Sequence, residues 1–260
     1  MRWRISLGRF LIRLGRCIKS LAIMAMRPDD LVEFSRQFYL RPNQLSYWSS
    51  EDFLDQGLTS LERALLEKTP LRQGRLLLLG VGGGRDAIAL ANQGFEVTGV
   101  DFVPEMVQRA QENAARRGLQ LAGMVQEISS LNLPPESYDL AWIAREMYSC
   151  LPTRERRIAM LRRVHRALRP GGYFVCTFHW QHPGRFSPRV EWARRLFALL
   201  TLGNRGYEPG DILWLDAEFI HAFFQEADLR GEFAAGGFEV RHLHLPASDV
   251  AGAAVLQAKN

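Results

Sequence analysis

A single stretch, Arg75 to Leu90 with the sequence RLLLLGVGGGRDAIAL, constrains the fold of this chain most strongly. Four consecutive leucines are typical of a parallel strand that is buried on both faces. The glycines that follow lead into apolar residues at helical spacing. Glycine permits positive φ angles and lets a ligand lie against the backbone, where the first amides of a helix still lack partners. The stretch therefore predicts a strand, a turn that binds a nucleotide-type ligand, and a helix.

A second strand, Phe95 to Val100, is predicted after this helix and ends at Asp101. A carboxylate at that place can accept hydrogen bonds from both hydroxyls of a ribose. Pro104 then fits the first turn of a further helix, Glu105 to Arg117. Strands that alternate with helices predict an α/β fold. The turn also matches the fingerprint G-x-G-x-x-A from Gly82 onward, so these features alone fit NAD and S-adenosylmethionine equally well.

Four motifs occur in the order typical of the class I S-adenosylmethionine-dependent methyltransferases, and the chain resembles that family over roughly two thirds of its length. The motifs are LLLLGVGGGRDAIAL, VTGVDFVPEMVQRA, MVQEISSLNLPPESYDLAWI and LRRVHRALRPGGYFV. The resemblance implies a Rossmann-like, doubly wound, seven-stranded mixed sheet whose last two strands, within 237–245 and 254–259, are antiparallel. It also implies a helical N-terminal cap, an insert after the fifth strand, and S-adenosylmethionine as the cofactor.

The resemblance further implies which residues bind the cofactor. Glu127 stands in the family's acidic position on the adenine side. Together with the glycine turn and Asp101, the expected cofactor-binding residues are Gly80, Val81, Gly82, Gly84, Asp101, Phe102, Met106, Glu127, Ile128 and Ala144. The family usually has an acidic residue two places before the first glycine of the loop, where this chain has Leu78. In the family this acid supports the loop and the amino group of the ligand. Here that support is either lost or supplied by another residue such as Asp86.

Candidate catalytic residues follow from the chemistry of methyl transfer, which requires alignment of the nucleophile and removal of a proton when the nucleophile is a hydroxyl. Reacting groups gather beyond the carboxyl ends of the strands in open α/β sheets. His179, at the end of the fifth strand, is our first candidate for the base because a neutral imidazole can accept a proton. Glu146, after the fourth strand, can serve the same chemistry. The residues expected to contact the substrate are Tyr47, Trp48, Arg145, Tyr148 and His182.

Positive charge is concentrated at the N-terminus, since residues 1–28 contain seven basic residues and no acidic residue. Residues 1–27 predict a basic amphipathic helix with Trp3, Leu7, Phe10 and Leu14 at steps of three or four. Such a helix can lie on a membrane surface with its arginines near anionic headgroups, but it lacks the ~20 apolar residues that a crossing requires. Alternatively, the segment is a transit peptide that is removed, or it docks on the protein's own core or on a partner.

The rest of the chain is organised as one enzyme domain. Its 260 residues, 47% of them hydrophobic, suffice for a large α/β domain over 71–260, preceded by a helical cap over 28–70. The stretch 181–230 is predicted to be an insert on the substrate side, with one helix over Val190 to Leu202 and another over Phe219 to Phe224. Within the cap, a helix is predicted over Glu51 to Lys68.

Several partners and cofactors are not expected. The three cysteines and six histidines show no metal-ligand spacing, so no metal is predicted, and reduced cysteines fit a cytoplasmic protein. Nucleic-acid binding is not expected, because the N-terminal arginines alternate with large aliphatic residues.

Three functional hypotheses remain at this point. The first is a methyltransferase that acts on a small molecule, and the apolar, aromatic insert suits a hydrophobic acceptor. The second is a membrane-recruited protein that binds S-adenosylmethionine without catalysis. The third is an NAD-dependent oxidoreductase. The sequence does not identify the acceptor atom.

Overall fold

The structure is a computed structural model that describes residues 2–181, 188–215, 217–247 and 250–259. Its strands are β1 (Gly74–Leu79), β2 (Phe95–Asp101), β3 (Ala122–Val125), β4 (Tyr138–Ile143), β5 (Leu168–Trp180), β6 (Asp211–Trp214), β7 (Glu218–His221), β8 (Phe238–His244) and β9 (Val250–Ala258). Its helices are α1 (Arg2–Ala25), α2 (Pro28–Tyr39), α3 (Pro42–Trp48), α4 (Glu51–Leu54), α5 (Ser60–Glu67), α6 (Arg85–Ala91), α7 (Pro104–Arg116), α8 (Arg154–Ala167), α9 (Pro188–Leu200) and α10 (Glu226–Ala235). Short 3-10 helices cover Ile128–Ser130 and Tyr148–Cys150.

Seven strands form one mixed sheet in the order β3-β2-β1-β4-β5-β9-β8. The first five strands pair in parallel, while β9 pairs antiparallel with both β5 and β8. The doubly wound fold and the antiparallel final pair that the resemblance implied are therefore confirmed. The strand order reverses between β1 and β4, and in such sheets ligands bind beyond the carboxyl ends of the strands at that place.

The leucines of β1 explain its central position in the sheet. Leu77 and Leu79 pack into the hydrophobic layer on one face, whereas Leu76 and Leu78 pack into the layer on the other face. All four side chains are buried, as is expected for a parallel strand with helices on both sides.

The predicted helix over Glu51 to Lys68 is broken into α4 and α5. Gly57 lies between them with a φ of +58°, a left-handed conformation that interrupts a helix. A new N-terminus then forms at Thr59, whose hydroxyl accepts from the backbone N–H of Glu62 while the Glu62 carboxylate accepts from the N–H of Thr59. This capping box was visible in the sequence as T-x-x-E and marks the true start of α5.

The insert contains one predicted helix and one misassigned element. α9 confirms the helix expected from Val190. The helix expected over Phe219 to Phe224 is wrong, because β7 pairs there with β6 as a two-stranded antiparallel sheet. Phe219, Ile220 and His221 are all buried, so this short strand is covered on both faces.

Helix α1 confirms that the N-terminal segment is helical. Most of its large apolar side chains are exposed, but Ile23 and Met24 near its C-terminus are buried against Ala198 of α9, Tyr207 and Phe219. The backbone oxygen of Met24 also accepts from the N–H of Asn204 at 2.8 Å. The C-terminal turns of α1 are thus anchored on the insert. No helix in the described ranges combines the length and the apolar character needed to cross a membrane.

Candidate active site

The glycine turn after β1 closes tightly beneath the cap. The backbone N–H groups of Gly80 and Val81 both donate to the oxygen of Val100 in the neighbouring strand, at 2.7 and 2.9 Å. Gly84 has a φ of +104° and precedes α6, a conformation that side chains rarely adopt. A Cβ atom on Gly83 would lie 2.1 Å from the backbone oxygen of Trp48. The chain therefore needs glycine here to let the cap approach the turn.

Asp101 ends β2 beside this turn. One carboxylate oxygen accepts from the N–H of Gly82 at 2.9 Å and the other from the N–H of Val103 at 3.0 Å. Burial raises the pKa of this carboxyl to about 6, although the backbone hydrogen bonds oppose that shift. Each oxygen keeps a further lone pair, so the carboxylate can still accept from ligand hydroxyls.

Two adjoining cavities open at the carboxyl ends of the strands. The larger has a volume of about 510 Å³ and lies between the glycine turn, the cap and the β6–β7 hairpin. The smaller, of about 50 Å³, is lined by Phe102, Glu127 and Ile128. Gly80 and Asp101 border both cavities. The two spaces therefore meet at the turn that the sequence predicted as the ligand site.

Most residues predicted for the site lie at these cavities. The larger cavity is lined by Gly80, Val81, Gly82, Asp101, Phe102, Met106, Tyr47, Trp48, Arg145, Glu146 and His179. Gly84 and Ala144 are buried and do not line either cavity. His182 lies outside the described residues.

Tyr148 requires a correction, because its side chain is fully buried in the core. Its hydroxyl donates to Glu232 at 2.7 Å, and its ring stacks on Phe223. Glu232 in turn binds the buried guanidinium of Arg157. Tyr148 is part of a buried polar network that joins α8 to α10, and we assign it no substrate contact.

Backbone strain marks the turn after β4. Arg145 and Glu146 have consecutive positive φ angles of 52° and 55°, which is costly for residues with side chains and is found most often at functional sites. The turn is held by a hydrogen bond from the N–H of Glu146 to the Thr177 hydroxyl at 2.8 Å. Burial raises the pKa of the Glu146 carboxyl, and the charge of Arg145 opposes this shift. A carboxyl with a raised pKa suits proton transfer near neutral pH.

His179 extends from the end of β5 toward the same cavity. Its backbone N–H donates to the hydroxyl of Ser149 at 2.9 Å, and its ring centroid lies 5.7 Å from that of Trp214. His179 and Glu146 thus line one cavity although they follow different strands.

The sequence did not single out Glu218, which borders both cavities. Its Oε1 accepts from the hydroxyl of Tyr39 at 2.7 Å and from the thiol of Cys150 at 3.3 Å. Burial raises the pKa of the Glu218 carboxyl, and both hydrogen bonds oppose that rise. The three residues lie in the insert, the cap and the turn after β4, so only the folded chain brings them together.

A second ionic cluster was not predicted either. Arg85, at the start of α6, binds Glu62 through Nη2 at 2.8 Å and Asp86 through Nε at 2.5 Å. Arg85 and Glu62 are almost fully buried, and Asp86 lines the larger cavity. The adjacent opposite charges of Arg85 and Asp86 in the motif GRD were the signal available in the sequence.

Glu208, Asp211 and His221 have side-chain oxygen or nitrogen atoms within 4.8 Å of one another, a grouping that could hold a metal ion. Each of these residues already has a partner. Glu208 binds Arg157 at 2.9 Å, and Asp211 lies 2.8 Å from Nδ1 of His221. The cluster is better described as a polar network that joins the insert to Arg157 of α8.

Comparison with known proteins shows which family the chain belongs to. Residues 76–172 match a family model described as "Methyltransferase domain". A ubiquinone biosynthesis O-methyltransferase of Xanthomonas campestris pv. campestris (strain B100) is 30% identical over 194 residues, which cover 73% of this chain and 78% of the relative. The protein of the same name from Xanthomonas euvesicatoria pv. vesicatoria (strain 85-10) is 28% identical with the same coverage. The chain belongs to the class I S-adenosylmethionine-dependent methyltransferases.

Solved structures agree with this fold. An S-adenosylmethionine-dependent methyltransferase from Methanosarcina mazei superposes with a TM-score of 0.60 at 22% identity, covering 78% of this methyltransferase and 99% of that chain. One from Mesorhizobium loti superposes with a TM-score of 0.57 at 20% identity, with coverage of 78% and 99%. The family assignment rejects the oxidoreductase hypothesis and makes S-adenosylmethionine the cofactor.

The residues of this methyltransferase fit that cofactor. The turn leaves open space where a Cβ of Gly82 would stand, so a ligand can lie against its backbone. Acidic side chains of Asp86, Asp101, Glu146 and Glu218 line the larger cavity, and a cluster of carboxylates suits a ligand with a sulfonium cation. Leu78, which replaces the usual acid of the family, is buried in the core and does not reach the cavity.

Proposed function

We propose that this methyltransferase methylates a hydroxyl oxygen of a small, hydrophobic, aromatic acceptor at the cytoplasmic surface of a membrane. The observation that carries the proposal is the position of the exposed apolar side chains. Among the described residues, the large hydrophobic side chains classed as exposed are on α1, on α9 and the turn after it, and at the β6–β7 hairpin, apart from Tyr47 and Val125. Extended exposed apolar surface marks an interaction site.

The hairpin connects this surface with the cavity. Trp214 and Leu215 at its tip are 46% and 79% exposed, and both also line the larger cavity. An apolar acceptor would therefore meet apolar side chains both outside the cavity and inside it. The name of the Xanthomonas relatives, ubiquinone biosynthesis O-methyltransferase, supports an oxygen acceptor.

Aromatic side chains from the cap form one wall of the larger cavity. Tyr47, Trp48 and Phe53 contact one another, with ring centroids 4.9 to 5.5 Å apart. Packed rings of this kind exclude water from the cavity and offer flat surfaces to an aromatic acceptor. We assign acceptor contact to Tyr47 and Trp48.

Proton removal is assigned to the side chains that line the same cavity. S-adenosylmethionine supplies a methyl group activated by a sulfonium. The protein's part is to orient the acceptor and to accept its hydroxyl proton, for which His179 is our first candidate and Glu146 our second. Asp101, with Phe102 and Glu127 at the smaller cavity, is assigned to hold the nucleoside.

Helix α1 is assigned to membrane contact. Trp3, Phe10, Ile12 and Ile18 are each more than half exposed, and the helix contains basic residues but no acidic residue. Side chains of this kind insert into the headgroup region of a bilayer while lysine and arginine approach anionic lipids. α9 lies beside α1 and exposes Trp192, so the apolar surface continues onto the insert.

Methyl transfer is tested with radiolabelled S-adenosylmethionine and a lysate divided into membrane and soluble fractions. We expect label in a small molecule extracted from the membrane fraction and loss of that label with His179→Gln or Glu146→Gln. Label only in the soluble fraction would contradict the membrane-derived acceptor. Absence of label in both fractions, with the cofactor still bound, would favour the second hypothesis, a binding protein without catalysis.

Membrane contact is tested by sedimentation with vesicles that contain anionic phospholipid. A variant without residues 2–20 keeps the buried Ile23 and Met24, so it should fold and lose binding. The double variant Phe10→Ser, Ile18→Ser preserves every charge and should bind several-fold more weakly, because it removes inserted apolar area. Equal sedimentation of all three proteins would refute the assignment.

A further inference from the structure

The two arginines that line the larger cavity differ in their partners. Arg85 is neutralised by Glu62 and Asp86. Arg145 has no carboxylate within ion-pair distance and donates no hydrogen bond to any residue in the described ranges. Its guanidinium is therefore a cation in the cavity whose hydrogen-bond donors are available to a ligand.

The surroundings of Arg145 hold it in place. Its guanidinium carbon lies 5.1 Å from the ring centroid of Trp48 and 5.1 Å from that of Phe53. Contacts with the faces of aromatic rings leave the edge of the planar guanidinium available, and that edge matches a carboxylate with two parallel hydrogen bonds. The strained turn at Arg145 and Glu146 directs the side chain toward these rings.

These rings lie at the end of the cavity formed by the glycine turn. The backbone oxygen of Trp48 packs against Gly83, and the guanidinium of Arg85 lies 5.5 Å from the ring centroid of Phe53. Asp86 is close enough for the charge of Arg145 to oppose the rise of its carboxyl pKa. Arg145 and Asp86 therefore border the same end of the cavity.

Asp86 offers the complementary charge. Its Oδ1 binds Arg85, while its Oδ2 has no hydrogen-bond partner in the part of the chain that the structure describes. The Thr59–Glu62 capping box holds the Glu62 carboxylate in place. That carboxylate accepts a hydrogen bond from Arg85, and Arg85 in turn donates to Asp86. A carboxylate and a guanidinium are thus both held rigidly at one end of the cavity.

We propose that Asp86 and Arg145 bind the two ends of the cofactor's amino-acid group, Asp86 the ammonium and Arg145 the carboxylate. This pair replaces the acid that the family usually carries where this chain has Leu78. The inference rests on cofactor binding alone and is independent of the acceptor and of membrane contact.

The test compares two ligands by calorimetry. S-adenosylhomocysteine carries the amino-acid group, and 5′-methylthioadenosine lacks it. We expect Arg145→Gln and Asp86→Asn each to weaken the binding of S-adenosylhomocysteine by roughly 10- to 100-fold, which is the usual effect of losing hydrogen bonds between charged groups. Binding of 5′-methylthioadenosine should change less than about twofold, and Arg145→Lys should recover part of the lost affinity because it restores the charge without the planar edge.

Arg230→Gln is the matched control, since Arg230 is an exposed arginine on α10 that pairs with Glu226 outside the cavity. Unchanged S-adenosylhomocysteine affinity in Arg145→Gln would overturn the proposal and would point to the acceptor as the ligand of that guanidinium. Equal losses for both ligands would also overturn it, because the effect would then come from the nucleoside side or from the fold. Neither outcome identifies the acceptor that is methylated.

Discussion

Buried carboxyls at the cofactor end of the cavity determine how binding depends on pH. Burial raises the pKa values of Asp86 and Asp101 to about 6, and hydrogen bonds from Arg85 and from the backbone N–H groups oppose these shifts. Arg145 and Glu62 are the other charged groups that act on Asp86. An ionised carboxylate accepts hydrogen bonds through both oxygens and attracts the cofactor's positive charge, whereas protonation removes the charge and turns one oxygen into a donor.

We therefore expect the affinity for S-adenosylhomocysteine to rise as the pH increases from about 5 to 7 and to level off above 7. Below a pH of about 6 each carboxyl is protonated in the ligand-free protein, so binding must release a proton. The affinity should then fall by up to about tenfold per pH unit for each group. Calorimetry at several pH values measures this dependence. The Asp86→Asn variant should keep the share of the pH dependence that belongs to Asp101, and a flat profile in both proteins would contradict the account.

Asp101→Ala should weaken the binding of S-adenosylhomocysteine by about 1 to 3 kcal/mol, because the ribose hydroxyls lose their hydrogen-bond acceptor. The substitution also leaves the N–H of Gly82 without its partner, which loosens the turn. Affinity is measured by calorimetry, with Arg230→Gln as the control. Wild-type affinity in Asp101→Ala would exclude the ribose contact.

Gly84→Val should abolish detectable cofactor binding. Its φ of +104° is strained for any residue with a side chain, and a Cβ there would lie 3.2 Å from the Cα of Ala110. The turn must then shift. Gly15→Ala, a position with nothing within 4 Å of an added Cβ, is the matched control and should bind the cofactor as wild type does. Binding by Gly84→Val at wild-type affinity would show that the turn does not shape the site.

Among the secondary-structure elements, those with strong local signals could be predicted from the sequence. The leucine run of β1, the glycine turn and the carboxylate at the end of β2 each have a direct physical reading, and the structure places them together. The helix expected over Phe219 to Phe224 failed because a run of aromatics spaced by two and by three fits both a helix and a strand. Only pairing with β6 decides between them.

Prediction of the site from the sequence is limited in the same way, because contacts between distant segments are not visible in the sequence. Glu146 and His179 could be placed at the cavity because the ends of parallel strands share one edge of the sheet. Tyr148 could not, since its direction depends on a buried bond to Glu232, which is 84 residues away in the chain. Glu218 was missed for the related reason that its partners, Tyr39 and Cys150, come from distant segments.

The buried pair of Arg157 in α8 and Glu232 in α10 gives a prediction about how these elements are joined. Both side chains are at most 1% exposed. Arg157→Met should lower the free energy of unfolding by about 3 to 5 kcal/mol, because it leaves Glu232 as an uncompensated buried charge. Denaturant unfolding measures the change. Arg230→Met, which removes an exposed pair with Glu226, should cost less than about 1 kcal/mol, and equal costs for the two variants would contradict this reading.

At the level of the whole molecule, ligand binding should be visible as stabilisation. S-adenosylhomocysteine at 100 times its Kd should add about 2.7 kcal/mol to the free energy of unfolding and raise the melting temperature. NADH at the same concentration should have no effect, since the family assignment rejects the oxidoreductase hypothesis. Differential scanning fluorimetry checks both ligands in one experiment. A rise in melting temperature with NADH alone would contradict the cofactor assignment.

The molecule combines a cofactor site in the sheet with an apolar surface on α1 and α9. The hairpin residues Trp214 and Leu215 border both the cavity and the exterior, so the two features are adjacent in the fold. Removal of residues 2–20 should therefore abolish vesicle binding and leave cofactor affinity unchanged, because none of the side chains described in that segment lines either cavity. Parallel loss of both properties would mean that α1 supports the cofactor site instead.

A crystal structure of the complex with S-adenosylhomocysteine tests the central claim most directly. We predict the amino-acid group beside Gly82 and Gly83, the ribose hydroxyls on the Asp101 carboxylate, and the adenine next to Phe102 in the smaller cavity. Ligand density elsewhere on the protein, with the glycine turn closed or filled by another compound, would contradict the account.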